Sequence, residues 1–298
     1  MAKAGLLFVG TDDGLVLFSN PNNIGRWLKI GQPFRGQAVG AVWPLADSPL
    51  VVCAAVAGMG LQRSEDGGQS WRLALEGDVS AIVGVVSAPR SLYLSTAAGA
   101  VYGSEDGGAS WSPRGLDVRG GGVRPHLAVD REAAPAVYAG LGDGAVLASR
   151  DGGASWAPFG ASLPAAVAGL AVAARAGGVY AVAGGKLYRG AGAAAWQALD
   201  TPGPARGPVV ELVGQAPALL VALEGGGIAR SDDGGATWAE VGDGKPVDAI
   251  SAASYHMDTA FAGGAEGALL VSSDRGRSWE VVKPGLPPIR SIAVARLA

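Results

Sequence analysis

The sequence predicts an all-β protein, a seven-bladed β-propeller built from four-stranded antiparallel blades. Three observations carry that prediction. An eight-residue pattern, Ser-x-Asp-x-Gly-x-Ser/Thr-Trp, occurs five times, at 64–71, 104–111, 149–156, 231–238 and 272–279. Seven tryptophans fall in phase, at Trp27, Trp71, Trp111, Trp156, Trp196, Trp238 and Trp279, separated by 44, 40, 45, 40, 42 and 41 residues. A period in the low forties made of short β-prone runs is the signature of a propeller blade, a sheet that buries its faces only against its neighbours.

The third repeat shows the parts. Residues 91–95 read as a strand, 97–100 as a small-residue turn and 101–104 as the next strand. Asp106-Gly107-Gly108 then reverses the chain into Trp111-Ser112-Pro113, and 123–129 form the apolar strand that opens the next blade. Turn residues punctuate each run, as hairpins require. The chain ends are out of register with the blade. Residues 6–9 match a second strand and 289–294 a first strand, so one blade is completed from both ends and no sheet edge is left open at the seam. The expected organisation is one propeller domain, residues 1–298.

Composition narrows the function classes. The chain is 49% hydrophobic with 49 glycines, which suits tightly packed blades and many turns. A net charge of −3 and an isoelectric point near 5.4 give no global basic field, so nucleic acid is not an expected partner. The longest weakly polar stretch, 163–174, contains Pro164 and is too short to cross a bilayer. No leader pattern is read at the start, and a cytoplasmic, monomeric ring is expected. The one cysteine, Cys53, lies in a predicted strand and reads as a small buried hydrophobe.

The repeated pattern resembles the Asp box, or bacterial neuraminidase repeat, of the propeller superfamily that includes sialidases, tandem-propeller xyloglucanases, sortilin-type receptors and photosystem II assembly factors. The resemblance spans the whole chain. It implies the propeller fold and says little of function, because unrelated activities share it. Physically, the Asp carboxylate suits the amides of its own tight turn, glycines permit positive φ, and the tryptophan packs under the turn. Asp66, Asp106, Asp151, Asp233 and Asp274, with Trp71, Trp111, Trp156, Trp238 and Trp279, are therefore expected to be structural.

The resemblance to sialidases implies, for that activity, three arginines gripping the substrate carboxylate, a tyrosine nucleophile with a glutamate partner, and an acid/base aspartate. Only Arg124 and Arg290 lie on predicted inner strands, and no Tyr/Glu pairing is evident among Tyr93, Tyr102, Tyr138, Tyr180, Tyr188 and Tyr255. Aligning the first strands gives the column Ala41, Ala81, His126, Gly169, Glu211, Ala249 and Ser291, with Asp248 beside it. Glu211, Asp248 and His126 are thus the candidate catalytic residues of an alternative reading, a glycoside hydrolase with a carboxylate pair at the channel. Polar groups lining a hydrated channel are the plainer explanation. Non-catalytic carbohydrate binding, which exposed tryptophans would serve, has only Trp43 outside the repeat phase.

No cofactor or metal is expected. The string at 190–195 lacks a strand-helix-strand setting and, with Trp196 in phase, reads as a decayed copy of the repeat. Two histidines and one cysteine make no soft-metal cluster, and Asp12-Asp13-Gly14 and Asp143-Gly144 read as hairpin turns. The preferred function is a non-enzymatic scaffold for protein recognition or assembly. Its contact surface is expected on the connector loops, at Phe34, Arg35, Arg119, Arg206 and Lys245, with Phe34 and Arg35 as an interface anchor.

Overall fold

The computed structural model describes residues 4–21, 26–118, 124–130, 136–173, 175–192, 195–212, 217–253 and 256–297. It contains seven four-stranded sheets arranged as blades, and every regular element among the described residues is a strand. Strand alternation explains why the inner runs are apolar at every position rather than at every second one. In blade 1, Leu6, Phe8, Leu15 and Leu17 pack with Val39 and Val52 of blade 2, while Leu7, Val9, Val16 and Phe18 pack with Phe261 and Leu269 of blade 7. A blade covered on both faces needs side chains for two cores at once.

The seam forms as predicted. Ile289–Arg296 pairs antiparallel with Gly5–Thr11 in the sheet that also holds Gly14–Asn20 and Leu28–Gly31, so blade 1 takes its innermost strand from the far end of the chain. The pairing runs from Gly5 opposite Arg296 to Thr11 opposite Ile289, and Leu297 N–H continues it to Ala4 O at 2.8 Å.

The innermost strands of blades 2 to 7 are Val39–Pro44, Val79–Gly84, His126–Val129, Val167–Ala173, Ala205–Leu212 and Ala249–Ala252. With Ile289–Arg296 they wall a central channel of about 860 Å³. Close approach of neighbouring blades dictates glycine in some second strands. A Cβ on Gly10 would lie 2.3 Å from Ser291 Oγ and 2.4 Å from the Val39 carbonyl, so no side chain fits there.

The two rims of the ring are built from different loops. Each repeat-motif turn lies beside the loop after a first strand, as Gly67 N–H donating to Leu50 O (2.8 Å) and Gly107 N–H to Arg90 O (3.0 Å) show. The connectors between blades lie beside the hairpins of second and third strands, as Gly14 N–H donating to Gln37 O (2.8 Å) shows. We refer to these rims as the motif face and the connector face.

Candidate functional site

The motif face is a set of closed local networks. In the copy at 231–238, Asp233 Oδ1 accepts from Ser231 Oγ (2.8 Å) and Thr237 N–H (2.9 Å), and Oδ2 accepts from Thr237 Oγ1 (2.6 Å). Ser231 Oγ also accepts from the buried Gly235 N–H at 2.8 Å. Asp66, Asp106, Asp151 and Asp274 repeat this pattern with the serines of their own turns. The Thr237 hydroxyl and amide, then the Ser231 hydroxyl, hold the Asp233 carboxyl down at about 2. These carboxylates are engaged by the hydroxyls and amides of their own turns.

The tryptophans are half-buried rather than enclosed. Trp71, Trp111 and Trp238 donate Nε1–H to the carbonyls of Gly68, Gly108 and Gly235 at 3.0, 3.2 and 3.0 Å. Trp156 and Trp196 donate instead to Arg114 O (2.8 Å) and Ala161 O (2.9 Å), while the Trp279 nitrogen is buried without a partner. The string at 190–195 includes residues outside the described set at 193 and 194, yet Trp196 packs edge-on against Phe159, with centroids 5.8 Å apart. Cys53 is buried as expected, and desolvation pushes its thiol up to about 12.

Two arginines that sequence reasoning passed over tie the motif turns together. Arg63 and Arg230, each immediately before a motif serine, are buried, and each reaches the next motif turn around the ring. Arg63 Nε donates to Gly107 O at 3.0 Å and Arg230 Nε to Arg275 O at 2.8 Å. Their charges are met by Glu65 and Asp232. The signal was present in the sequence as Arg-Ser-acid-Asp in both copies.

The connector end of the channel is ringed by charge. Arg206 Nη2 contacts Asp248 Oδ1 at 2.6 Å, and Arg290 grips Asp12 through Nε (2.7 Å) and Nη2 (2.6 Å). The hydrogen bond from Arg290 lowers the Asp12 pKa, and the same contact raises that of Arg290. Arg206 and Arg290 remain 50% and 43% exposed, whereas Asp248 is only 11% exposed and its Oδ2 is buried without a partner. Asp248, a catalytic candidate, and Arg206, a contact candidate, thus form one ion pair. Asp12, read from the sequence as part of a simple hairpin turn, belongs to the same mouth.

Glu211 does not belong to the column in which the sequence alignment put it. Glu211 opposes Leu219, whose other partner is the motif residue Ser231, just as Ala252 opposes Ala260 and Ala260 opposes Ser272. The true equivalent of Glu211 is therefore Ala252 and not Ala249. The cause is a register shift in the strand Ala205–Leu212 between Ala205 and Val209. Glu211 stands about four residue levels, or ~13 Å, along the channel from Asp248. Its Oε1 accepts from Ala176 N–H (2.9 Å) in the neighbouring blade, at the motif end. The two carboxylates are not brought to the ~5–9.5 Å spacing of a glycosidase pair.

The other candidates separate as well. His126 lines the channel, and desolvation lowers its pKa. Phe34 is not a free anchor: it packs edge-on against Trp71 with centroids 5.0 Å apart, joins the core between blades 1 and 2, and has φ of 61°. Its loop is fastened by Asp13, which accepts from Gly36 N–H at 2.6 Å and from the Gln32 side chain at the backbone carbonyl (2.7 Å). Arg35 beside it is exposed. Lys245 pairs with Asp243, and Arg119 lies outside the described residues. Among the described residues no three His, Cys, Asp or Glu side chains cluster to hold a metal, and no helix is long and apolar enough to cross a membrane.

The match that decides the family lies in the second half of the ring. The DUF6242 beta propeller domain matches residues 126–277, half of the chain. The chain belongs to that family. The match begins at His126, the first residue of the inner strand of blade 4, and ends within the last motif turn. Among curated proteins no sequence matches the chain.

Solved structures share the fold at low identity. YCF48 from Cyanidioschyzon merolae is 16% identical, with a TM-score of 0.64 over 88% of this chain and 90% of that one. A structure of YCF48 bound to D1 peptide is also 16% identical, with a TM-score of 0.60 over 100% of this chain and 90% of the other. The GH74 xyloglucanase from Xanthomonas campestris is 17% identical, with a TM-score of 0.58 over 97% of this chain but only 60% of the enzyme.

Proposed function

We propose that the protein is a non-enzymatic recognition or assembly scaffold whose connector face, around the charged mouth of the channel, receives a protein partner. The observation that carries this reading is the mouth itself, where exposed arginines are braced by carboxylates on loops held by a closed ring. Pre-organised guanidinium groups keep much of their capacity to donate while losing little freedom on binding. Arg35 and Lys245 extend the surface outward, and Phe34 serves it by holding the Arg35 loop in place. YCF48 bound to D1 peptide is a propeller with a protein segment as its ligand, the class of partner proposed for this chain. Membership of the Asp-box superfamily, a single domain over 1–298, a monomeric ring and a cytoplasmic setting are parts of the same reading.

The hydrolase alternative loses its support with the separation of Glu211 from Asp248. The test is affinity capture by the intact protein, with partners identified by mass spectrometry and compared with capture by an Arg35→Glu/Arg206→Glu double variant. A specific partner held by the parent and by Asp233→Asn, and lost by the double variant, supports the proposal. Equal capture by the double variant removes the connector face from consideration. Turnover of a chromogenic glycoside that Glu211→Gln abolishes replaces the scaffold reading with the enzyme.

A further inference from the structure

The innermost strands share an irregularity at the connector end of the channel. In blades 1, 2, 3 and 5 a single extra residue interrupts the pairing with the second strand, Arg290, Gly40, Ser80 and Ala168 respectively, and in blade 6 the register breaks across 206–208. A β-bulge leaves its extra residue out of the ladder and re-aims its side chain. Burial follows that rule: Val39, Val167, Ala205 and Ile289 at the edges of the bulges are buried, whereas Gly40, Ala168, Arg206 and Arg290 are exposed on the channel and Ser80 is half-buried there. Each of these blades thus delivers to the mouth a residue that lies outside the cores between blades.

The mouth so built has two unlike arcs. Blades 6, 7 and 1 bring Arg206, Asp248, Asp12 and Arg290, two cations paired with two carboxylates, so this arc carries no net charge. Blades 2, 3 and 5 bring Gly40, Ser80 and Ala168, and a Cβ on Gly40 would meet nothing within 4 Å. The small arc is therefore a recess. What it offers is main chain, because each innermost strand is the end strand of its sheet and turns its unpaired backbone edge to the bore. A charged group entering here would lose hydration without gaining a counter-charge, whereas a peptide segment can exchange backbone hydrogen bonds with a free strand edge.

We propose that Gly40, Ser80 and Ala168 frame a recess that receives an uncharged loop projecting from the protein partner. The loop crosses the bulges with its main chain against the free strand edges, and the small side chains there set how deep it can enter. This inference rests on the connector-face reading and sharpens it: the exposed arginine arc meets the partner beside the loop, while the small arc selects partners by shape.

The probe is a phage-displayed library of short random loops closed by a disulfide, panned on the purified protein, with enriched loops resynthesised and their affinities measured by fluorescence anisotropy. Enriched loops are expected to lack Lys, Arg, Asp and Glu at their tips. Gly40→Trp and Ala168→Trp should each weaken binding about tenfold or more by setting a bulky side chain against the loop, and Gly40→Ala should change it by no more than about twofold. Hydrogen exchange in the parent protein reads the same contact without any substitution: the loop should slow exchange in segments covering 38–41, 79–81 and 167–169. Loops lost on Arg35→Glu/Arg206→Glu but held equally by folded Gly40→Trp and Ala168→Trp overturn the recess and leave the connector-face reading standing; loops indifferent to all of these variants count against both. Failure to enrich any loop, charged tips, or unchanged exchange in those segments also overturns the proposal.

Discussion

The motif face and the connector face of the ring are stabilised by different means. On the motif face each well-formed turn satisfies its own polar groups within a few residues, and Arg63 and Arg230 tie one turn to the next through backbone carbonyls. On the connector face the ion pairs differ from blade to blade, and those at the channel mouth join residues remote in the chain, as Arg290 and Asp12 are. A local network repeated around a ring secures the scaffold whatever the other rim carries. The connector rim is consequently the side on which charge can be placed for recognition without loss of the fold.

Removing 289–298 would abolish both faces at once. It strips blade 1 of its innermost strand and leaves Gly5–Thr11 as an unpaired apolar edge, so aggregation or loss of cooperative unfolding is expected in size-exclusion and thermal measurements. A truncation that melts like the parent would break the comparison by showing that neither rim depends on closure. Next in size is Trp156→Ala on the motif face. Full burial would give a loss of about 3–5 kcal/mol, but a half-buried indole bonded to Arg114 O should give about 2–3 kcal/mol in urea titration. Ser231→Ala leaves the buried Gly235 amide without its acceptor and should lower stability by about 1–3 kcal/mol.

Acid titration sharpens the contrast further. The Asp233 carboxyl is held at about 2 against its ordinary 3.8, so the stability it contributes is complete above about pH 4 and is lost as the pH falls toward 2. In Asp233→Asn the fall in melting temperature between pH 4 and 2 should be shallower than in the parent, and parallel curves would assign acid sensitivity elsewhere. The smallest effect belongs to the connector face: Arg206→Gln, half-exposed in its ion pair, should change stability by less than about 1 kcal/mol. A larger loss would make the mouth part of the scaffold after all.

What could be read from the sequence follows the same division. The motif turns were legible because every bond of the Asp and Ser side chains falls within four residues, so the pattern that makes them is contiguous. Even the substituted copy at 272–279 keeps the geometry, with Arg275 at φ 65° where the other copies have glycine. The seam was legible from phase alone. The mouth was not, because nothing local in Asp12-Asp13-Gly14 announces a guanidinium 278 positions away. Glu211 was misplaced because an alignment by apolar pattern cannot see the register shift before Val209. Phe34 was read as a surface anchor because its partner, Trp71, sits in a different repeat.

The seam has a kinetic and topological meaning beyond stability. While the chain is being made, blades 2 to 7 can each assemble from contiguous sequence, but the strand Gly5–Thr11 must wait for Ile289–Arg296, the most non-local pairing in the ring. Residues 4 and 297 then stand side by side, joined by a backbone hydrogen bond. A short linker between those positions, with the chain reopened in a connector such as 76–78, would produce a circular permutant in which every blade is continuous in sequence. Such a chain should reach the same native ring faster than the natural order does, since no early strand is left waiting for the last one.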